Sequence, residues 1–330
     1  MVTTTYSSLS QIHQWSQEQF LKLQDHHPNR RCRIAIAPAQ DARFLSAIIH
    51  ASKAGYLQPI LVGNEPIIRR VAEQFDIDLP DDPAECPIYH ESDPLKAVAY
   101  AASLVKSGDA DTLMRGRIMV FDFFKVMFHP KDGLAQKRQF WSQIGVLQIP
   151  DFPRLLIISD CGLNVNPDLH QKVRIIENAV NMAHALSIAT PKVALLAAVE
   201  AVYLKMPVLV EESIIAHFSA RGGFKDAVID GPLSLDLAIS PEAAKKKKMS
   251  GEVAGKADIL IVNNVYVGNS LYKSLITLGK AQSASVVMGG KAPIVLPSRS
   301  ESPDNVLHSL ALAVGLWAQQ FKNNPESVSI

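Results

Sequence analysis

Cysteine is scarce in this chain: Cys32, Cys86 and Cys161 are the only three in 330 residues. Their odd number, wide spacing and lack of any CxxC pair argue against a disulfide framework and a cysteine zinc site. A reduced, cytoplasmic protein without a metal is the expectation. Excess charge is missing too. Lys and Arg total 33 against 32 Asp and Glu, a net +1, which argues against a nucleic-acid surface. No apolar run reaches membrane-spanning length. The longest, such as Val193–Val199, suit buried strands. The opening MVTTTYSSLSQIHQWSQEQF is polar with scattered aromatics and has no signal-peptide core. There is no P-loop, no G-x-G-x-x-G after the first strand, no G-x-S-x-G elbow and no H-E-x-x-H. The ten histidines are scattered, and core or surface roles are the simpler reading for them.

What is present is alternation. Apolar residues make up 48% of the chain, enough for a substantial core, and its length favours two lobes. Residues 9–25 have a helical stripe of Leu9, Ile12, Trp15, Phe20 and Leu21. Strand patterns follow at Arg33–Ala37, Pro59–Val62, Tyr89 and Thr112–Met114, with helices at Asp41–Ala54, Ile67–Phe75 and Asp93–Ser107 between them. In the second half, strands at Arg154–Ser159, Lys192–Ala198, Ala227–Asp230, Ala257–Val262, Ser285–Met288 and Pro293–Leu296 are expected. Helices are expected at Pro167–Leu186, Ser213–Ala220, Gly268–Leu278 and Asp304–Phe321, and Lys245–Lys248 reads as a solvated helix end. Strands alternating with long helices imply right-handed crossovers and a largely parallel sheet. Gln143–Pro153 reads as an irregular seam punctuated by Pro150 and Pro153. The expected domains are 1–150 plus 298–330, and 151–297.

Parallel α/β sheets bind ligands at the carboxyl ends of their strands. Four such segments are rich in polar residues, Gly and Pro. In Ser159–Pro167, Asp160, Asn164 and Asn166 precede a helix whose free N–H groups suit an anion; the plainer role for Asp160 and Asn166 is to fix the turn and cap the helix. In Asp230–Asp236, a Gly-Pro turn is flanked by Asp230 and Asp236, which orient a substrate or satisfy the turn. In Asn263–Lys273, Gly268 permits close backbone approach, Asn269 is a cap candidate, and Lys273 lies one turn on, facing either the same mouth or solvent. In Ser298–Ser302, Arg299 presents a planar fork suited to phosphate and Ser298 can donate to a carbonyl oxygen; a surface ion pair is the plainer role for Arg299.

In this order and spacing, the segments resemble the phosphate acetyltransferase/phosphate butyryltransferase family from about Arg33 to Leu316. The resemblance rests on ISDCGLNVNPDLHQKVRIIENAVNMAHAL, PKVALLAAVEAVYLKMP, VGNSLYKSL and GGKAPIVLPSRS. DGPLSLDLAIS followed by VAGKADILIV is similar to the butyryl branch in particular. The resemblance implies a two-lobed α/β/α fold, isocitrate/isopropylmalate dehydrogenase-like, with mostly parallel sheets and an interdomain cleft. It implies a homodimer and the reaction acyl-CoA + phosphate ⇌ acyl phosphate + CoA. Coenzyme A is then a substrate, no cofactor is bound, and neither nucleic acid nor membrane is a partner. Ser298 and Arg299 would be catalytic. Asp160, Asn164, Asn166, Asp230, Gly268, Asn269, Lys273, Arg115 and Lys125 would bind substrate.

The chain departs from the family pattern at three places. Asn263-Asn264-Val265-Tyr266-Val267-Gly268-Asn269 stands where the family resembles Pro-Asp-x-Glu-Ala-Gly-Asn, so two acids are gone. Asn305 stands at the acetyl branch's proposed base, and an amide cannot take up a proton at neutral pH. After DADTLM, Val120 replaces a Thr and Lys125 an Arg, with Arg115 and Arg117 adding cation. These departures leave a non-catalytic sensor of CoA or an anion as an alternative reading. A nucleotide-dependent dehydrogenase rests on fold analogy alone; the sequence lacks both its early Gly-rich fingerprint and an acidic metal-binding triad.

Overall fold

The computed structural model describes residues 6–131, 133–136, 138–298 and 301–323, with side chains to 321. In chain order the elements are α1 (Leu9–Gln24), β1 (Cys32–Ala37), α2 (Ala42–Lys53), β2 (Leu57–Gly63), α3 (Glu65–Gln74), β3 (Ile88–His90), α4 (Pro94–Ser107), β4 (Thr112–Arg115) and α5 (Val120–Met127). Then come β5 (Ser142–Gln148), β6 (Leu156–Ser159), α6 (Leu169–Ala185), β7 (Lys192–Leu196), α7 (Pro207–Ala220), β8 (Val228–Leu233), α8 (Leu235–Ile239) and α9 (Pro241–Lys246). The last are β9 (Ile259–Ile261), α10 (Val265–Thr277), β10 (Gln282–Met288), β11 (Ile294–Val295) and α11 (Pro303–Asn323).

The chain divides into two compact units. One holds Ile12–Gln139 with the residues from Ala284 onward, the other the residues up to Gln11 with Phe140–Ser283. The divisions fall at 11/12, 139/140 and 283/284, whereas the sequence pattern places them at 150/151 and 297/298. Two short segments account for the shift. Ser142–Gln148, read from sequence as an irregular seam, is strand β5 and pairs antiparallel with β6. Polar Ser142, Gln143 and Gln148 and the central Gly145 break the apolar run, yet Ile144, Val146 and Leu147 are buried. Gly145 is required there, because a Cβ would come within 2.5 Å of the Tyr272 ring. At the other division, β11 pairs with β4 in parallel and with β10 in antiparallel.

In the first unit the strand order is β3-β2-β1-β4-β11-β10. β1 is the centre, with Ile34 opposite Pro59 on one side and Thr112 on the other. Its sequence CRIAIA is buried on both faces, as befits a parallel strand covered by helices. Local signals set the crossovers. Asp93 caps α4 by accepting from Leu95 N and Lys96 N, Pro94 opens the helix, and left-handed Gly108 closes it.

The second unit has the order β5-β6-β9-β7-β8. β6, β9, β7 and β8 are parallel, and their inner residues build a core with Leu156, Ile158, Ala194, Leu196, Leu233 and Leu260. α6 starts with a capping box: Asp168 accepts from Gln171 N, and the Gln171 side chain accepts from Asp168 N. α7 begins at Pro207, six residues before the sequence reading. Exposed Ile214 and Phe218 opposite buried Leu209 and Ile215 blur its periodicity.

A buried carboxylate braces the first unit. Asp111 accepts from Arg30 Nη2 at 2.6 Å, Arg33 N at 2.8 Å, and Arg33 Nε and Nη2 at 3.1 Å. Removing one partner of such a network strands the others. Asp111→Ala is expected to lower stability by about 3–5 kcal/mol in urea denaturation.

Candidate active site

The turn after β6 is organised by Asp160, which is 2% exposed. Its Oδ1 accepts from Gly162 N and Leu163 N, each at 2.8 Å. Its Oδ2 accepts from Asn164 N at 3.3 Å and Asn164 Nδ2 at 2.5 Å, and Nδ2 also donates to Trp141 O. Burial pushes the Asp160 carboxyl above the ordinary carboxylate range, and the donors around it pull the other way. The peptide bond before it, Ser159–Asp160, is cis. Asn166 is exposed, and the helix cap falls to Asp168.

α10 is set onto this turn. Asn264 is its N-cap, accepting from Val267 N at 3.1 Å, so the cap lies five residues before Asn269. Gly268 is buried against the turn: a Cβ there would stand 2.1 Å from the Asp160 carbonyl oxygen. Val265 N donates to Val165 O, adding a second tie. The Asn269 amide reaches toward Cys161 O at 3.5 Å, and Lys273 is exposed one turn later. Asp160, Asn164, Gly268 and Asn269 are therefore brought together.

Asp230 does not end a strand. The Asp-Gly-Pro stretch lies inside β8, where the register with β7 shifts between Ala194 and Leu196. Pro232 has no N–H to give the ladder, which is why sequence reads it as a turn. Asp230 Oδ1 accepts from Gly231 N at 2.9 Å, and Asp236 Oδ1 accepts from Ser234 Oγ at 2.6 Å.

In the other unit, Arg115 is 1% exposed and donates to Ile118 O at 2.6 Å and to Pro297 O. These bonds hold the backbone next to Ser298. Ser298 is half-buried; its N–H donates to Glu301 Oε2 at 2.7 Å, and Glu301 N donates back to Ser298 O. Lys125 is exposed on α5. Arg299 lies outside the described residues. At the start of α11, Asp304 is exposed and Asn305 is buried.

Among the described residues, no three His, Cys, Asp or Glu are grouped to hold a metal, and no helix is long and apolar enough to cross a membrane. Residues 90–314 match the family described as phosphate acetyl/butaryl transferase. The chain belongs to this family. It is 39% identical over 282 residues to the phosphate acetyltransferase of Thermotoga maritima, covering 85% of this chain and 94% of that one. It is 37% identical over 281 residues to the phosphate butyryltransferase of Clostridium acetobutylicum, covering 85% and 92%. The crystal structure of a branched-chain phosphotransacylase from Enterococcus faecalis V583 superposes with a TM-score of 0.74 at 32% identity, covering 87% and 99%.

Within this phosphate acyltransferase family frame, sequence reading passed over a buried charged group. Lys172 of α6 is 3% exposed, and its Nζ pairs with Glu211 Oε2 of α7 at 2.7 Å; Glu212 beside it is buried as well. The signal was available as Glu211-Glu212 inside the apolar PVLVEESII, but paired acids on a helix usually face solvent. Because Gly268 has no room for a side chain, Gly268→Ala must push α10 off the Asp160 turn. A loss of about 1–3 kcal/mol is expected, read as a lowered melting temperature.

Proposed function

We propose that the chain transfers a short acyl group between coenzyme A and inorganic phosphate, acyl-CoA + phosphate ⇌ acyl phosphate + CoA. The observation that carries this is the family match across residues 90–314 together with near-full-length similarity to named acetyl- and butyryltransferases. A butyryl-like acyl chain is favoured, on the similarity of DGPLSLDLAIS and VAGKADILIV to that branch.

The reaction proceeds by direct transfer in a ternary complex. In the direction of CoA acylation, the CoA thiol loses its proton and the thiolate attacks the acyl phosphate carbonyl. A tetrahedral oxyanion forms, the C–O bond breaks, and phosphate leaves, the thiol proton ending on it as hydrogen phosphate. Ser298 and Arg299 are assigned to the oxyanion and the phosphate, a role that calls for donors aimed where charge develops. Asp160, Asn164, Asn166, Gly268, Asn269 and Lys273 are assigned to substrate, with Asp230, Arg115 and Lys125 as further contacts. Several of these act through the backbone they hold: Asp160 shapes its turn, and Arg115 secures residue 297.

The assignment extends to a cytoplasmic homodimer. Support for self-association comes from exposed Tyr203, Leu204, Ile214 and Phe218, an apolar set suited to burial against a second copy.

Acetyl-, propionyl- and butyryl-CoA with phosphate should release free thiol only when phosphate is present, and fastest with butyryl-CoA. Arg299→Ala should lower kcat/KM by about a hundredfold or more. Phosphate-independent thiol release, or an Arg299→Ala rate equal to the parent's, would overturn this reading.

A further inference from the structure

The segment 263–269 has lost the acids of its family pattern, yet a carboxyl group reaches it from another element. Glu212 of α7 is 2% exposed, and its Oε2 has no hydrogen-bond partner among the described residues. Asn263 faces it. The Asn263 amide donates one N–H to Leu196 O at 2.6 Å, at the end of β7, and a primary amide has a second N–H to offer. Asn263 stands where the family pattern has proline, which could make neither bond. It also directly precedes Asn264, the cap of the helix that seats Gly268 on the Asp160 turn.

We propose that Glu212 is a positioning residue for acyl transfer: through Asn263 it fixes the 263–269 segment and hence the amino end of α10 against the Asp160 turn. This rests on the acyltransferase reading only for its activity readout.

Among the described residues, the charged groups around Glu212 are few. Lys172 approaches from α6 and is paired with Glu211, the neighbour on α7 itself. Burial outweighs the attraction of Lys172 and pushes the Glu212 carboxyl up to about 8. The group therefore keeps its proton at neutral pH and serves as a neutral hydrogen-bonding partner. An unfolded chain releases that proton near the ordinary glutamate value of about 4.3. Folding thus binds a proton, and stability from this group falls as pH rises between the two values, levelling off once the folded carboxyl has ionised.

The test uses Glu212→Gln, Glu212→Ala, Asn263→Ala and the double alanine variant. Hydrogen–deuterium exchange of the peptide spanning residues 263–269 is the readout that needs no catalysis. Glu212→Ala and Asn263→Ala should each speed exchange there about tenfold, and the double variant should match the singles rather than multiply them, because both act through one contact. The rate of acyl transfer should follow the same pattern. In the parent, kcat/KM should descend through pH 8 as Glu212 ionises. Glu212→Gln should recover the rate to within about threefold of the parent and lose that descending limb. Additive effects, or unchanged exchange in Glu212→Ala with only a lowered melting temperature, would overturn the proposal. A parent without transferase activity would overturn the acyltransferase reading instead, leaving the exchange result to decide the role of Glu212.

Discussion

One carboxylate holds the second unit's strand-end architecture together. Asp160 gathers the N–H groups of Gly162, Leu163 and Asn164 and the Asn164 side-chain amide. Taking a carboxyl group out of water is unfavourable unless donors replace the lost hydration, so the turn must close tightly around it. The resulting backbone presents the Asp160 carbonyl oxygen to Gly268, and α10 settles where only hydrogen fits. From there Tyr272 reaches β5 and crowds Gly145. A strand end, a turn, a helix start and an antiparallel strand are thus fixed relative to one another by a single buried acceptor.

The same economy recurs where charge is buried elsewhere. Asp111 gathers two arginines at the edge of β1, and Arg115 gives its N–H groups to the carbonyls of Ile118 and Pro297. In each case a charged side chain satisfies backbone groups that no helix or strand ladder serves. Such residues resemble substrate ligands in sequence, since both roles draw on charge at strand ends. A phosphate acyltransferase needs its reacting groups held in register more than it needs many reactive side chains, because positioning supplies much of the rate. Rigid strand-end turns are the structural form of that requirement.

The elements most legible in the sequence were those with a cap and a full apolar period. Asp93-Pro94 announces α4, Pro167-Asp168 announces α6, and RIAIA announces β1. The missed elements lacked one signal or the other. In β5, polar residues and Gly145 interrupt the run, although the strand is buried. In α7, apolar residues lie on both faces, so its first two turns have no readable stripe. The Gly-Pro pair of β8 reads as a turn because proline cannot join a ladder, while the neighbouring strand shifts its register around it.

For the candidate site, residue types and spacing determined the family, the strand-end location of three of the four polar segments and the need for glycine at 268. They do so because these depend on local backbone chemistry and on order along the chain. Which polar residue performs which task was decided only by tertiary structure. Asn264 caps α10 where Asn269 was the candidate, Asp168 caps α6 where Asn166 was, and Arg115 is buried against carbonyls. The pairing of Glu212 with Asn263 joins residues 51 positions apart on different elements. No local pattern encodes that contact, because burial and partner choice follow from how α7 packs against β8 and α6.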